Sequence, residues 1–475
     1  MLVLRRATAP LLRLKNVRHI SLPRFVTNND VEASVVSHLK ARGLVASVTD
    51  DILHIESQIS KEPTSIYCGA DPSAASLHVG NLIPLIVLLH FYIRGHNPVV
   101  LVGGATGQVG DPSGRTTERD QMEEDTRKAN VSKIHGQMIQ FLERGWQYAQ
   151  TRGYTNRGTA VRANNLDWWK DMGMLHFLGT YGRHIRISQM LGRDSVKSRL
   201  SSDQGIGFNE FTYQILQAYD FWHLYKTHNV RIQVGGNDQW GNITAGIDLI
   251  SRLTSSLPKD AQKDAFGLTV PLLTTPSGEK FGKSAGNAIW LNSVMTKPYE
   301  LFQYFIKAPD SVVGDYLKLF TLLPLDTIDE VMLTHQTTPE KRYAQRVLAH
   351  EVTDLVHGIG SGARTGLISS LLFPIQGDAV NHSSQDIISA FEQEGLLVVE
   401  KRSDIVGQPW KSVLSKVLGR SKSEISRLLK GNGVYYGLEK KAVEEDIISP
   451  HHMIDDELLL CRTGKSNYTV IKVVD

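Results

Sequence analysis

Between about residues 31 and 275, short apolar runs alternate with longer stretches of helical periodicity. SIYCG, PVVLVGG and VRIQVGG have the pattern of strands, and the apolar stretch near 79–94 has that of a helix between the first two. This alternation predicts a parallel sheet with crossover helices, a Rossmann-like α/β domain. Inside it, NEFTYQILQAYDFWHLY predicts a helix. Tyr213, Gln217 and Asp220 fall at i, i+4 and i+7 on one face, and Phe211, Ile215, Leu216, Tyr219 and Trp222 cover the other. From about 296 to 358 the pattern is wholly helical, as in PYELFQYFIKA, VGDYLKLF and EKRYAQRVLAHEVTDLVHG. Residues 359–408 are richer in Ser and Gly and read as a connection with some helix in it, SQDIISAFEQEG. The last stretch, 409–475, combines a short helical run, a G-N-G turn and alternating strands (DELLLCR, NYTVIKVV), which predicts a small α+β module.

Composition changes this picture in two places. With 41% hydrophobic and 21% charged residues over 475 positions, the chain is ordinary globular protein. Residues 1–29, however, hold six Lys/Arg (Arg5, Arg6, Arg13, Lys15, Arg18, Arg24) and no Asp or Glu, which leaves 46 basic against 49 acidic residues elsewhere. An acid-free, Arg-bearing amphipathic leader of this kind reads as a mitochondrial presequence, the alternative being a basic tail. Nucleic-acid binding by the rest must therefore come from local basic patches rather than a global field. Only two cysteines occur, Cys68 and Cys461, which excludes a Cys₄ zinc site and a disulfide framework. No uninterrupted apolar run reaches the roughly 18 residues of a membrane span.

Candidate chemistry begins at SIYCGADPSAASLHVGNLIPL. Pro84 suits the first turn of the apolar helix and Gly95 its end, so the helix N-terminus falls near His78-Val79-Gly80-Asn81. Exposed N–H groups and positive dipole density there suit a phosphate, Gly80 permits close approach, and His78 and Asn81 can donate hydrogen bonds. The alternative is a histidine that merely caps the helix. About 200 residues later, EKFGKSAGNAIWLN places Lys280 and Lys283 in a Gly-containing loop. They could close over a triphosphate or belong to a solvated loop. The buried polar stripe Tyr213, Gln217 and Asp220 either satisfies itself in the core or meets a polar ligand. Asp111, in the G-D-P-S-G loop, is a pocket candidate or a turn residue.

Taken together, HVGN and KFGKS resemble the paired H-I-G-H and K-M-S-K-S signatures of class I aminoacyl-tRNA synthetases. YCGADPSAASLHVGN, VGGATGQVGDPSG, FTYQILQAYDF and GGNDQWGNITAG are similar to the tyrosyl-tRNA synthetase family of bacterial and mitochondrial type, over essentially everything after the leader. The resemblance implies tyrosine activation by ATP, taken up with Mg2+ and with no metal held by the protein, followed by transfer to mitochondrial tRNA(Tyr). It implies that Tyr67 and Asp220 hydrogen-bond the substrate phenol, that Asp111, Tyr213 and Gln217 bind its ammonium, and that Gln233 and Gln239 lie nearby. Ser73, His78, Lys280 and Lys283 would meet the β- and γ-phosphates. Cys68, Asn81 and Asp238 would lie on the ribose side, Gly80 and Gly236 would admit the nucleotide, and Asp71 would belong to the ATP site. Asn165 is a further candidate in the first or second layer around the substrate. Departures from the commonest pattern are Asn81 for the second His, Ser73 for Thr, Ala70 for Phe and Gly282 for the first Ser of the lysine motif; Gly282 removes one hydroxyl, while both lysines and the donors at 73 and 81 survive.

The implied organisation is a presequence (1–29), a Rossmann-like catalytic domain with an insertion (30–295), a helical anticodon-arm domain (296–358), a linker (359–408) and an S4-like RNA-binding module (409–475). In that module Ser421 and Glu424 have the spacing of a capping box, and Lys422, Arg427 and Lys430 are the expected RNA contacts. GRHIRISQMLGRDSVKSRL lies in the insertion that the family uses for dimerisation and acceptor-stem contact, which implies a homodimer, in the mitochondrial matrix. Competing readings are a tryptophanyl-tRNA synthetase, a nucleotidyltransferase with an H-x-G-H motif, and a non-catalytic synthetase-fold RNA-binding or splicing factor.

Overall fold

The computed structural model describes residues 34–113, 122–201, 205–258, 262–272, 288–374, 382–464 and 467–475. The leader read as a presequence and the loop bearing Lys280 and Lys283 lie outside these residues. The described chain divides into two compact units, one ending at Ser361 and the other running over Gly362–Asp475. No helix among the described residues is long and apolar enough to cross a membrane.

The first unit is built on a six-stranded sheet of β1 (Ser47–Val48), β2 (Ser65–Ala70), β3 (Asn97–Val102), β4 (Val161–Asn164), β5 (Val230–Gly236) and β6 (Phe266–Val270), in the order β1-β6-β5-β2-β3-β4. All neighbours are parallel except β1 and β6. The chain winds outward from β2 to β4, then returns to the other side of β2 for β5. In an open α/β sheet the crevice at such a reversal, beyond the carboxyl ends of the strands, is the place for a ligand. Here the reversal sets Tyr67 on β2 directly beside Gln233 on β5.

Helices of this unit that frame the sheet include α1 (Val35–Ala41), α2 (Leu82–Tyr92), α3 (Glu124–Gln150), α4 (Phe208–His228) and α5 (Trp240–Thr254). α2 is apolar all round, and every residue in it except Pro84 is buried, as a helix enclosed on all sides requires. Tyr67, Val99, Leu101, Ala163, Phe221, Leu224, Val230 and Ile250 make a core that joins the sheet to α4 and α5. Short helices occupy 174–200 between β4 and α4, in the predicted insertion.

Next come α6 (Pro298–Ile306), α7 (Asp310–Phe320), α8 (Leu325–Thr337) and α9 (Tyr343–His357), with α9 packed on the other three and on α3. Buried Arg42, just after α1, donates to the carbonyls of Lys318 (2.9 Å), Leu323 (2.7 Å) and Thr321, and so caps the end of α7.

The second unit contains α10 (Ser384–Gln393), β7 (Leu397–Lys401), α11 (Trp410–Leu418), α12 (Lys422–Lys430), β8 (Val434–Tyr436), β9 (Lys441–Ala442), β10 (Leu458–Thr463) and β11 (Asn467–Val474). Its sheet order is β7-β11-β10-β8-β9 around a core of Trp410, Leu414, Ile425, Leu459, Cys461 and Ile471. The stretch read as a linker differs from expectation: β7 is an edge strand of this sheet, parallel to β11. Its pairing partner lies some 70 positions along the chain, beyond the reach of local periodicity.

Candidate functional site

After β2, the chain turns through Asp71-Pro72-Ser73 and enters a 3₁₀ turn, Val79–Asn81, that leads into α2. His78 caps this turn. Its Nδ1 accepts from the Gly80 N–H (3.1 Å), and its own N–H donates to Asn81 Oδ1 (3.0 Å). The bond to Nδ1 leaves Nε2 as the protonated nitrogen of the neutral ring, a hydrogen-bond donor. One expectation changes here. The N–H groups of Val79, Gly80 and Asn81 already bond to Ile289 O, His78 Nδ1 and His78 O, so bare helix N-terminal amides are not what this turn offers. The side-chain donors that this turn carries are His78 Nε2 and the Asn81 amide.

The same turn receives the far end of the lysine loop. His78 and Trp290 form an antiparallel bridge, with Val79 N–H to Ile289 O at 2.9 Å and Leu291 N–H to Leu77 O at 2.8 Å. The described residues at the end of β6 and at 289–291 beside His78 thus lie at the same end of the sheet.

Across the reversal point lies the polar pocket. On α4, Tyr213 and Asp220 are buried and Gln217 is half-buried, while of the predicted apolar side Tyr219 is buried and Phe211, Ile215, Leu216 and Trp222 are half-buried, so Tyr213 and Asp220 head an inward-turned polar stripe. Two networks run along it. In the first, Tyr213 Oη donates to Asp71 Oδ2 (3.1 Å) and Thr106 Oγ1 to Asp71 Oδ1 (3.2 Å). Asn165 Nδ2 reaches both Thr106 Oγ1 (2.9 Å) and Asp220 Oδ2 (2.9 Å). In the second, Gln239 donates to Asp111 Oδ2 (2.7 Å), Gln217 to Gln239 Oε1 (3.2 Å), and Asn242 to both glutamine oxygens (3.0 Å each). Asp111 serves as turn residue and pocket residue at once, because its other oxygen accepts from the Ser113 N–H (2.9 Å).

Asp220 Oδ1 also accepts two indole N–H groups, from Trp168 (2.8 Å) and Trp169 (2.7 Å). Burial pushes its pKa up to about 7 against these donors, with Asp71 adding to the rise. Tyr67 is held well above the usual tyrosine range, by burial first and Asp220 second, so its hydroxyl keeps its proton. Two buried polar atoms in adjacent strands have no hydrogen-bond partner among the described residues: Tyr67 Oη and Gln233 Oε1. A buried polar atom without a partner is costly, so the pocket has the chemistry of a site for a polar ligand.

Around the entrance, a Cβ at Gly236 would collide with Asp238 Oδ1, and one at Gly103 with Thr106 and Asp71 side-chain oxygens. Cys68 is buried, and burial pushes its thiol up to about 12, so it is no thiolate. Ser73 is exposed on the turn and Asp238 half-exposed after β5.

Comparison with known proteins decides what this arrangement belongs to. The family described as "tRNA synthetases class I (W and Y)" matches residues 59–366, well over half the chain. The chain belongs to this class I synthetase family. Among individual relatives of this synthetase, the mitochondrial tyrosine–tRNA ligase of Saccharomyces cerevisiae is 42% identical, over 98% of this chain and 97% of that one. The tyrosine–tRNA ligase of Pectobacterium atrosepticum is 39% identical over 92% and 98%. A crystal structure of a C-terminally truncated mitochondrial tyrosyl-tRNA synthetase from Aspergillus nidulans has a TM-score of 0.66 at 36% identity, covering 72% of this chain and 94% of that one.

Several polar partners of this synthetase's pocket escape sequence reasoning: Trp168, Trp169, Thr106, Ser113 and Asn242. Adjacent tryptophans read as core, and only the fold reveals that both indoles face one carboxylate. In the second unit, Lys422, Arg427 and Lys430 are all exposed on α12. Ser421 Oγ accepts from the Glu424 N–H (3.3 Å), while the Glu424 carboxylate lies 3.6 Å from Arg420.

Proposed function

We propose that this chain is a tyrosine–tRNA ligase that acts in mitochondria, in the matrix. The observation that carries the reading is the pocket floor: a buried carboxylate, Asp220, held by three N–H donors beside the partnerless Tyr67 hydroxyl and Gln233 carbonyl oxygen. A phenol both donates to a carboxylate and accepts from a tyrosine hydroxyl, whereas phenylalanine would leave these groups unpaired, and rejection follows from that penalty. The indole of tryptophan is a donor only and leaves the Tyr67 hydroxyl without its acceptor. The acidic group Asp111, with Tyr213, Gln217 and Gln239, suits the α-ammonium, and Asp71 belongs to the ATP site.

In the first step the tyrosine carboxylate oxygen attacks the α-phosphorus of ATP, taken up as its magnesium complex. The P–O bond to the β-phosphate breaks, and tyrosyl-adenylate and pyrophosphate form. In the second, a ribose hydroxyl at the tRNA 3′ end attacks the tyrosyl carbonyl and AMP leaves. The carboxylate is already a nucleophile, so the protein's work is positioning and charge stabilisation. His78 Nε2 and Ser73 donate to phosphate oxygens, as do Lys280 and Lys283. Cys68, Asn81 and Asp238 serve the ribose side, and Gly80 and Gly236 let the nucleotide approach the backbone.

Tyrosine-dependent ATP–pyrophosphate exchange by the chain from Asp30 onward, with phenylalanine and tryptophan in parallel, tests this reading. Exchange with tyrosine alone is expected. Exchange with tryptophan, or none from a folded protein that binds tRNA, overturns it.

A further inference from the structure

A second polar cluster lies in the C-terminal unit. The 3₁₀ turn Pro450–His452 follows the acidic run Glu444-Glu445-Asp446 and presents two consecutive histidines to Glu445. His451 Nε2 lies 3.4 Å from Glu445 Oε1, and His452 Nε2 lies 3.9 Å from Glu445 Oε2. One donor atom from each of the three residues falls within 4.8 Å of the other two.

Neither spacing is that of a good hydrogen bond, which for N–H···O is roughly 2.7–3.2 Å. Around tetrahedral zinc, with bonds of about 2.0–2.2 Å to nitrogen and oxygen, neighbouring donors stand about 3.3 Å apart. The His451–Glu445 edge already has that span, and the His452 edge needs a modest contraction.

The parts that must hold still are held. His452 is 2% exposed, with its ring edge-on to Trp410 (5.3 Å between centroids) and Tyr436 (4.5 Å). Its Nδ1 accepts from the Ser449 N–H (2.9 Å) and lies 3.2 Å from the Ser449 carbonyl oxygen, so the neutral ring carries its proton on Nε2. A cation on Nε2 displaces that proton to Nδ1, where the contact with the Ser449 N–H gives way to donation to the carbonyl oxygen, the kind of outer support a metal-bound histidine uses. The parts that must move are exposed: His451 at 57% and Glu445 at 54% of the side chain. Ser449 Oγ lies 3.5 Å from Glu445 Oε2, at the outer limit of a hydrogen bond, and does little to fix that carboxylate.

We propose that Glu445, His451 and His452 bind a divalent cation of zinc type in the C-terminal unit, with a further coordination position open to solvent. Two imidazoles with one carboxylate select zinc-like ions over magnesium or calcium, which take oxygen donors. The ion clips the Pro450–His452 turn to the segment after β9 and stabilises this unit; it takes no part in tyrosine activation.

The test is a Zn2+ titration of the full, chelator-stripped chain in competition with a chromophoric chelator, repeated on His451→Ala and Glu445→Gln. Both positions are exposed, so both variants should fold, which the tyrosine-dependent exchange rate and the circular dichroism spectrum verify. The expected result is one tight equivalent in the wild type, bound tenfold or more weakly by each variant, with a zinc-dependent rise in melting temperature in the wild type alone. Failure of the wild type to take up an equivalent, or equal uptake by the wild type and both variants, overturns the proposal.

Discussion

At the scale of single residues, the Asp220 floor makes two predictions. The Tyr67 hydroxyl has no partner among the described residues, so Tyr67→Phe removes a buried polar atom that the free protein does not satisfy. Melting temperature should hold or rise, while KM for tyrosine rises roughly tenfold, about 1.4 kcal/mol of lost hydrogen bonding. A fall in stability with unchanged KM would show that the hydroxyl serves the fold rather than the ligand.

The second prediction concerns pH. A phenol donates to the ionised carboxylate, and Asp220 has its pKa raised to about 7, so kcat/KM for tyrosine should fall as pH drops through about 7. Trp169→Phe deletes one of the donors that favour the charged form, so the midpoint should move to higher pH; a midpoint left in place would show that its indole does not tune the carboxylate. For folding the sign is opposite. A carboxylate with a raised pKa keeps its proton longer in the folded state, so its contribution to stability falls between about pH 4 and pH 7. Only part of this was legible in the chain itself: i, i+4, i+7 spacing marked Tyr213, Gln217 and Asp220 as a stripe and the resemblance pointed to Tyr67 and Asn165, but the indole donors Trp168 and Trp169 come from beyond the end of β4, 52 and 51 positions away.

At the scale of elements, the strands and helices of the first unit follow from the pattern because each buries an apolar face, and α2 follows because it buries every face. What the pattern could not supply is pairing over distance: the antiparallel edge strand β1, the strand β7, and the bridge that returns residues 289–291 to His78. Long-range polar ties belong to the same class. The Glu351 carboxylate on α9 accepts from Arg152 (2.5 and 2.7 Å) and from the Tyr148 hydroxyl, which joins the long helix α3 of the sheet layer to the helical layer. Arg152 and Glu351 are both buried, so the pair counts mainly through the penalty for breaking it. Glu351→Gln should cost about 3 kcal/mol in stability, read as a fall in melting temperature. If this joint sets how the helical layer presents tRNA to the sheet, charging of tRNA should fall more than pyrophosphate exchange; equal losses would restrict its role to the fold.

At the scale of the whole molecule, the question is which part of the chain serves which step. Met174, Leu175, Ile187 and Phe208, in and beside the insertion, are 67, 87, 65 and 75% exposed. An exposed apolar group of this size fits an interface between two copies, so Leu175→Glu should shift sedimentation from dimer to monomer. The C-terminal unit has its own sheet and core, and the Aspergillus nidulans relative was crystallised without its C-terminal part. A chain ending at Ser361 should therefore retain tyrosine-dependent pyrophosphate exchange and lose tRNA charging. A finer version keeps the unit and changes only Lys422, Arg427 and Lys430 to Gln, all exposed on α12. Every cation withdrawn from a phosphate lowers the slope of log affinity against log salt by roughly 0.7–0.9, so the triple variant should bind tRNA(Tyr) with a slope smaller by about 2 to 3, at unchanged exchange. An unchanged slope would remove α12 from the RNA surface, whatever the truncated chain does.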